Sequence, residues 1–313
     1  MLGSCMSHPA AHPHLESVPC FLCGADDYDI VYEARYEREK DVDLEKKFRA
    51  SGDELLIDQL VKCRRCGFRY VNPRLRGDLI FSGYTEGDDP TYVSQLQARE
   101  RTFEASLDEI ARASGGTGRL LDIGTAAGAF VAAAKARGWN AEGCEPNKWL
   151  AEWGARHYGL TIRQGSVFEQ DYADNSFDVV TLWDVIEHTL NPREMLDRCC
   201  RLLKPGGVLV VNYPDIGSWI ARALGRRWLF LTSVHLYYFD RGTIGRMLES
   251  TGFQVEVVRP HWQRLELDYI LSRGSVLSQA LSNVSRRVVG LAGAGRSQVP
   301  YWLGQTFVIA RRA

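Results

Sequence analysis

Residues Leu120-Leu-Asp-Ile-Gly-Thr-Ala-Ala-Gly128 decide the fold. Two leucines lead through Asp122 and Ile123 into a glycine turn, and small residues carry the chain into an apolar run, Ala129 to Ala136. The pattern is strand, tight turn, helix. Glycine at 124 and 128 permits backbone dihedrals closed to other residues and lets a ligand approach the main chain. The helix start adds N–H groups with no intrahelical partner. These features describe a loop that holds a nucleotide-type cofactor.

Asp122 narrows the choice of cofactor. In the dinucleotide fingerprint a glycine stands two residues before the middle glycine, and the pyrophosphate lies against the helix start. A carboxylate at that position repels a pyrophosphate but suits a ligand carrying an ammonium and a sulfonium. S-adenosylmethionine carries both. The alternative is a small-residue turn in an ordinary α/β domain.

Downstream of the loop, strand and helix patterns alternate. Strands are expected at Asn140–Cys144, Leu160–Arg163, Phe177–Leu182, Val208–Asn212, Phe253–Val258 and Thr306–Ala310, with helices over Lys148–Tyr158, Pro192–Leu203 and Thr243–Thr251. With the opening strand this predicts an α/β fold with a Rossmann-like, doubly wound, seven-stranded sheet, mostly parallel with the last strand antiparallel. Two stretches interrupt the alternation. One, 216–239, is crowded with Trp219, Trp228, Phe230, His235, Tyr237, Tyr238 and Phe239. The other, 260–303, is helical in pattern, with Ile270, Leu271, Leu277, Leu281, Val284, Val288 and Val289 among Arg273, Arg286 and Arg287. Both are expected at the C-terminal end of the sheet, where open α/β folds bind ligands. For the second insert a packing or dimer helix, a substrate lid and a membrane-surface helix are all open.

Upstream, Cys20-Phe-Leu-Cys23-Gly24 and Cys63-Arg-Arg-Cys66-Gly67 are two copies of one knuckle, separated by 39 residues. In a reducing compartment, Cys20, Cys23, Cys63 and Cys66 predict tetrahedral structural Zn²⁺ in a small zinc ribbon, with a redox dithiol pair as the alternative. Cys5, Cys144, Cys199 and Cys200 show no ligand spacing. The expected organisation is a loose tail over 1–17 with His8, His12 and His14, a zinc-ribbon-like segment over 18–75, a linker and helix capping the cofactor site over 76–116, and the cofactor domain over 117–313. A charged excursion, Tyr36 to Asp58, separates the knuckles. The helix near Tyr92 to Ala113 keeps its apolar positions, Val93, Leu96, Phe103, Leu107 and Ile110, at approximate helical spacing.

The 313 residues carry a net charge of −1, so global charge selects no partner. From Arg259 onward, however, eight arginines and no lysine stand against Glu266 and Asp268. A basic segment favours phosphate-bearing partners or anionic membrane surfaces, or is a solvated face. No run reaches the ~20 apolar residues of a membrane span, and the expected location is cytoplasmic.

In order along the chain, Leu120-Leu-Asp-Ile-Gly-Thr-Ala-Ala-Gly128, Gly143-Cys-Glu-Pro-Asn147, Phe177-Asp-Val-Val, Asp184-Val-Ile-Glu-His188, Leu203-Lys-Pro-Gly-Gly207 and His235-Leu-Tyr-Tyr-Phe239 resemble the class I S-adenosylmethionine-dependent methyltransferases, in particular the bacterial subgroup with an N-terminal two-knuckle zinc segment. The likeness covers Val18 to Arg311. It implies cofactor contacts at Asp122, Gly124, Thr125, Gly128, Glu145, Pro146, Ser166, Val167, Trp183 and Asp184. Glu145, ending the second strand, would accept the ribose hydroxyls, and Ser166 and Val167 would pack the adenine.

Methyl transfer is an in-line displacement at a sulfonium methyl, so the protein must align an acceptor and manage its proton. Asp184, Glu187 and His188 stand at helical spacings of three and four and can share one face. His188 is the candidate general base, with His235 as the second. Alternatively, Asp184, Glu187, His188 and His235 hold one Mg²⁺, an arrangement similar to quinone-ring and small-RNA 2′-O-methyltransferases. The expected acceptor is small or carrier-linked: a sugar, a glycolipid precursor or a secondary metabolite. The alternatives are an RNA methyltransferase that binds phosphates through the zinc ribbon and basic C-terminus, and a non-catalytic partner-binding protein on the same fold.

Overall fold

A computed structural model describes residues 14–35, 55–274 and 278–313. Most of the N-terminal tail (with Cys5, His8 and His12), most of the charged excursion and Leu277 lie outside the described residues.

The first half-chain supplies strands β1 (Leu15–Glu16), β2 (Tyr28–Tyr32), β3 (Leu60–Cys63), β4 (Arg69–Val71) and β5 (Arg74–Leu75). Helices Gly77–Thr85, Pro90–Ser94 and Leu96–Ser114 follow, the last ending where Gly115 turns left-handed at φ 76°. Then come β6 (Arg119–Ile123), helix Ala129–Ala136, β7 (Asn140–Glu145), helix Lys148–Tyr158, β8 (Ile162–Gln164), β9 (Phe177–Trp183), helix Pro192–Leu202 and β10 (Leu203–Pro214). Helix Trp219–Leu224 and β11 (Tyr237–Tyr238) form the aromatic stretch, followed by helix Arg241–Ser250 and β12 (Phe253–Pro260). Last come β13 (Gln263–Glu266), helices Leu267–Arg273 and Gln279–Leu291, β14 (Gln298–Tyr301) and β15 (Gln305–Arg312).

The central sheet has seven strands in the order β12-β15-β10-β9-β6-β7-β8. The five from β10 to β8 pair in parallel, and β15 runs antiparallel to both β10 and β12. Alternation assigns its side chains to two cores. Leu121, Val180, Leu209 and Val308 pack on the side of the cysteine knuckles and helices Pro192–Leu202 and Arg241–Ser250. Leu120, Val179, Val208 and Phe307 pack under helices Leu96–Ser114 and Ala129–Ala136.

The two inserts lie where the sheet's C-terminal ends open. β11 leaves the aromatic stretch to pair antiparallel with β4, completing a four-stranded sheet, β11-β4-β3-β2, that carries the second knuckle. The 260–303 insert is a β13–β14 hairpin with two helices between its strands. Trp228 joins the inserts, its indole N–H donating to the Leu303 carbonyl at 2.8 Å.

Candidate active site

The loop after β6 is held from beneath by Asp122. Its buried carboxylate accepts the Thr181 hydroxyl at 2.6 Å and the Thr125 hydroxyl at 2.7 Å. Burial pushes this carboxyl up to about 7, while the two hydroxyl donors pull it back. A cationic ligand above the loop would favour the ionised form. Gly124 and Gly128 have φ of 68° and 76°. A Cβ on Gly124 would come within 2.7 Å of Val185 Cγ2, and one on Gly128 within 2.9 Å of Ile162 Cδ1. Both glycines are therefore required by backbone conformation and by protein packing, in addition to any ligand approach anticipated from the sequence.

Glu145, at the end of β7, is fully buried. One carboxylate oxygen accepts the Ala126 N–H and the other the Asn147 N–H, each at 2.7 Å. Of the two remaining in-plane lone pairs, one is met by the Tyr84 side chain and the other is left for a ligand hydroxyl. Burial raises Glu145 to about 7 against these donors. The Asn147 amide donates to the carbonyls of Tyr84 and Gly87 at 2.6 and 2.7 Å, fixing the upstream chain over the β7 end. The Tyr84 side chain reaches Glu145 itself.

Asp184 to His188 do not continue as a helix. Asp184 sits at φ 52°, a left-handed conformation uncommon outside glycine, and the next residues form a turn closed by His188 N–H to the Val185 carbonyl at 2.9 Å. That φ swings the Asp184 carboxylate onto the Asn212 amide at 2.6 Å. The shared helical face expected from the spacing is therefore absent. Glu187, His188 and His235 do converge, each offering a ligand atom within 4.8 Å of the others, and Asp184 is outside that group.

Both oxygens of the Glu187 carboxyl are buried without a hydrogen-bond partner among the described residues, and burial together with the Asp184 charge holds it well above the usual carboxylate range. His188 Nδ1 meets the Val234 carbonyl at 3.0 Å, and His235 Nδ1 meets the Phe230 carbonyl at 2.7 Å. A ring nitrogen bonded to a carbonyl must carry the proton, so each Nε2 presents a lone pair. Burial lowers His188 to about 4 and His235 well below its ordinary value, which keeps both rings neutral.

One cavity of about 440 Å³ joins these parts. It runs from Gly124, Ala126, Pro146, Ser166 and Val167 past Trp183 and Asp184 to Glu187, His188 and His235. Several of its residues carry no sequence signature. Phe168 lines the stretch beside Ser166 and Val167, and Tyr84, Tyr92 and Arg99 come from the upstream helices. Tyr269, Arg273 and Tyr301 come from the 260–303 insert, which thus covers the cavity. The Arg99 guanidinium lies over the Tyr92 ring at 4.8 Å, and its Nε is buried without a partner among the described residues. Arg99 stands in the charged run Arg99-Glu100-Arg101, and nothing in that run sets it apart from its neighbours.

The four knuckle cysteines form a second cluster, with all four sulfur atoms within 4.8 Å of one another. Cys20 and Cys66 are 3.4 Å apart and Cys23 and Cys63 3.5 Å, and all four are free thiols. Four convergent thiolate donors from two turns match the chemistry of a closed tetrahedral zinc site.

A family model described as a methyltransferase domain matches residues 95–258. A probable S-adenosylmethionine-dependent methyltransferase of Mycolicibacterium smegmatis is 34% identical over 102 residues, 33% of this chain and 38% of that protein. A ubiquinone biosynthesis O-methyltransferase of Bradyrhizobium sp. is 32% identical over 129 residues, 39% of this chain and 48% of that protein. The chain thus spans less than half the length of these two relatives. A solved S-adenosylmethionine-dependent methyltransferase from Archaeoglobus fulgidus superposes with a TM-score of 0.49 at 19% identity, covering 72% of this chain and 100% of that one. The family match takes in more than half of the chain, from the helix over the cofactor loop to β12, and the chain therefore belongs to the methyltransferase domain family, as a class I S-adenosylmethionine-dependent member.

Proposed function

We propose that the chain transfers the methyl group of S-adenosylmethionine to a hydroxyl of a small or carrier-linked acceptor such as a sugar, a glycolipid precursor or a secondary metabolite. The observation that carries this reading is the single cavity that begins at the Gly124–Ala126 loop and ends at His188, beneath a cover made by the chain itself. The acceptor oxygen attacks the sulfonium methyl, the S–CH₃ bond breaks with its electron pair going to sulfur, and the hydroxyl proton passes to His188 Nε2. Glu187, held protonated in the resting site, ionises more readily beside the imidazolium that forms, and its carboxylate then offsets that charge. Asp122 and Glu145 hold the cofactor from below, Ser166, Val167 and Phe168 flank its adenine, and the four cysteines hold a structural zinc. Against an RNA acceptor, Arg64 is committed to Asp27 and Asp29, and Arg65 to the Cys23 carbonyl.

The test is transfer of a tritiated methyl group into two pools, a small-molecule and lipid extract and purified RNA. Label in the extract that is lost in His188→Ala, with cofactor binding retained, supports the reading. Label in RNA alone overturns it.

A second reading is favoured by the Glu187 oxygens, unpartnered among the described residues, within 4.8 Å of a ring nitrogen of each of two histidines. Glu187, His188 and His235 would hold one divalent cation, which lowers the pKa of a bound hydroxyl. Two imidazoles and one carboxylate suit Mn²⁺ or Fe²⁺ better than Mg²⁺, which prefers an all-oxygen shell. Equilibrium dialysis against Mn²⁺ and Mg²⁺, with Glu187→Gln as control, decides between cation and general base.

A further inference from the structure

Helix Gln279–Leu291 turns its apolar side outward. Leu281, Val284, Val288 and Leu291, spaced by three, four and three residues, form one stripe and are 66, 61, 60 and 84% exposed. Its polar side is the docked one. Ser282 is buried and donates its hydroxyl to the Leu271 carbonyl at 2.7 Å, and Arg286 forms a two-pronged pair with Asp268 at 2.8 Å. An amphipathic helix on a soluble protein ordinarily does the reverse, because each exposed aliphatic side chain forgoes the gain of burial.

Beyond the Asp268–Arg286 pair, the exposed charge the insert carries near this helix is basic. Asp268 is the last acidic residue of the chain, and the 45 residues from Tyr269 to Ala313 carry six arginines and no lysine. Arg287 and Arg296 are exposed. The same insert carries Trp262, 60% exposed, and Trp302, which lie 6.3 Å apart, and Trp219, 69% exposed, joins them at 6.1 Å from Trp302. Indoles with one face wet and arginines flanking an aliphatic stripe are the composition that settles at the headgroup boundary of a bilayer. A second copy of the chain would set the exposed Arg287 and Arg296 against the same two arginines, with Asp268 already held by Arg286, so like charges oppose self-association here.

We propose that helix Gln279–Leu291 docks on an anionic lipid bilayer, with Leu281, Val284, Val288 and Leu291 immersed and Arg287 and Arg296 against the headgroups. Arg273 and Tyr269, on the helix that Ser282 and Arg286 grip, line the cavity, so the docked surface belongs to the element that covers the site. The proposal goes beyond the methyl-transfer reading and does not depend on it.

The test is co-sedimentation of the full chain with vesicles of equal parts phosphatidylglycerol and phosphatidylcholine, and with phosphatidylcholine vesicles alone. Binding to the mixed vesicles is expected, weakened by salt as the Debye length shrinks. Leu281→Asp/Leu291→Asp is expected to lower the partition coefficient about tenfold or more while S-adenosylhomocysteine binding is unchanged, which shows that the variant is folded. Absence of wild-type binding, equal binding to both vesicle types, or full binding by the variant overturns the proposal. A dimer in solution that the variant converts to a monomer, without lipid binding, assigns the stripe to a second copy and also overturns it.

Discussion

Tyr237 lies directly opposite Tyr70 in the pairing of β11 with β4, which fastens the wall carrying His235 to the strand that leaves the second cysteine knuckle. The join is reinforced on both sides. The Phe68 ring stacks on Tyr237 at 5.8 Å, the Arg246 guanidinium donates to the Cys66 carbonyl at 2.6 Å, and the N–H groups of Leu236 and Tyr237 donate to the Glu187 carbonyl at 2.9 and 3.2 Å. The knuckles are thus one strand pairing away from Glu187, His188 and His235.

Loss of the cysteine cluster should therefore damage transfer more than cofactor binding. Cys63→Ser is expected to lower bound zinc from about one per chain toward none. It should reduce kcat at least tenfold and change the Kd for S-adenosylhomocysteine little. Metal analysis alongside calorimetry checks this, and equal losses in both quantities would show that the knuckles support the whole fold.

Asp122 and Glu145 give the protein a pH dependence of definite sign. Their ordinary values are 3.8 and 4.5, and both rise to about 7 in the folded state. Between roughly 4 and 7 the folded chain binds more protons than the unfolded one, so the stability of the cofactor-free protein falls as pH rises through that window and levels off above it. Binding of S-adenosylmethionine, which brings the sulfonium charge, should strengthen over the same interval. S-adenosylhomocysteine, which lacks the sulfonium charge, should follow less steeply, so the ratio of the two Kd values, measured from pH 5.5 to 8, should move toward S-adenosylmethionine.

Arg99 brings a guanidinium into the cavity with its Nε unpartnered. Arg99→Met should weaken binding of a carboxylate-bearing ligand by about tenfold to a hundredfold, the scale of one charged hydrogen bond. Arg99→Lys should recover part of the loss. Comparing S-adenosylhomocysteine with 5′-methylthioadenosine, which lacks the amino-acid end, shows whether that carboxylate is the cofactor's.

The sheet was legible in the sequence because its signals are local. Leu120 to Gly128 carries strand, turn and helix within one short window, and the apolar runs of β9 and β10 suit strands buried on both faces. The paired knuckles were legible for the same reason. Asp184 was not, because its three- and four-residue spacing to Glu187 and His188 reads as helix until Asn212, from a strand 28 residues on, captures its carboxylate. Arg99, Tyr269 and Tyr301 reach the cavity only through tertiary packing, and no period in their own segments marks them. The outward stripe of helix Gln279–Leu291 had the spacing of a core face, and only its exposures reveal the inversion.

Gly124 links the loop after β6 to the turn that carries His188, the proposed proton acceptor. A methyl group at this position would meet Val185 Cγ2 at 2.7 Å, and the backbone is held at φ 68°, where alanine is strained. Val185 opens the turn that its own carbonyl closes onto the His188 N–H. Gly124→Ala should therefore cost about 1–3 kcal/mol of stability from overpacking and backbone strain, lowering Tm by several degrees. It should also reduce kcat by displacing Glu187 and His188, even when the cofactor is saturating. Val185→Ala in the same chain removes the clash but leaves the strained φ. The double variant should recover most of kcat and only part of the Tm, which separates displacement of the turn from strain in the loop.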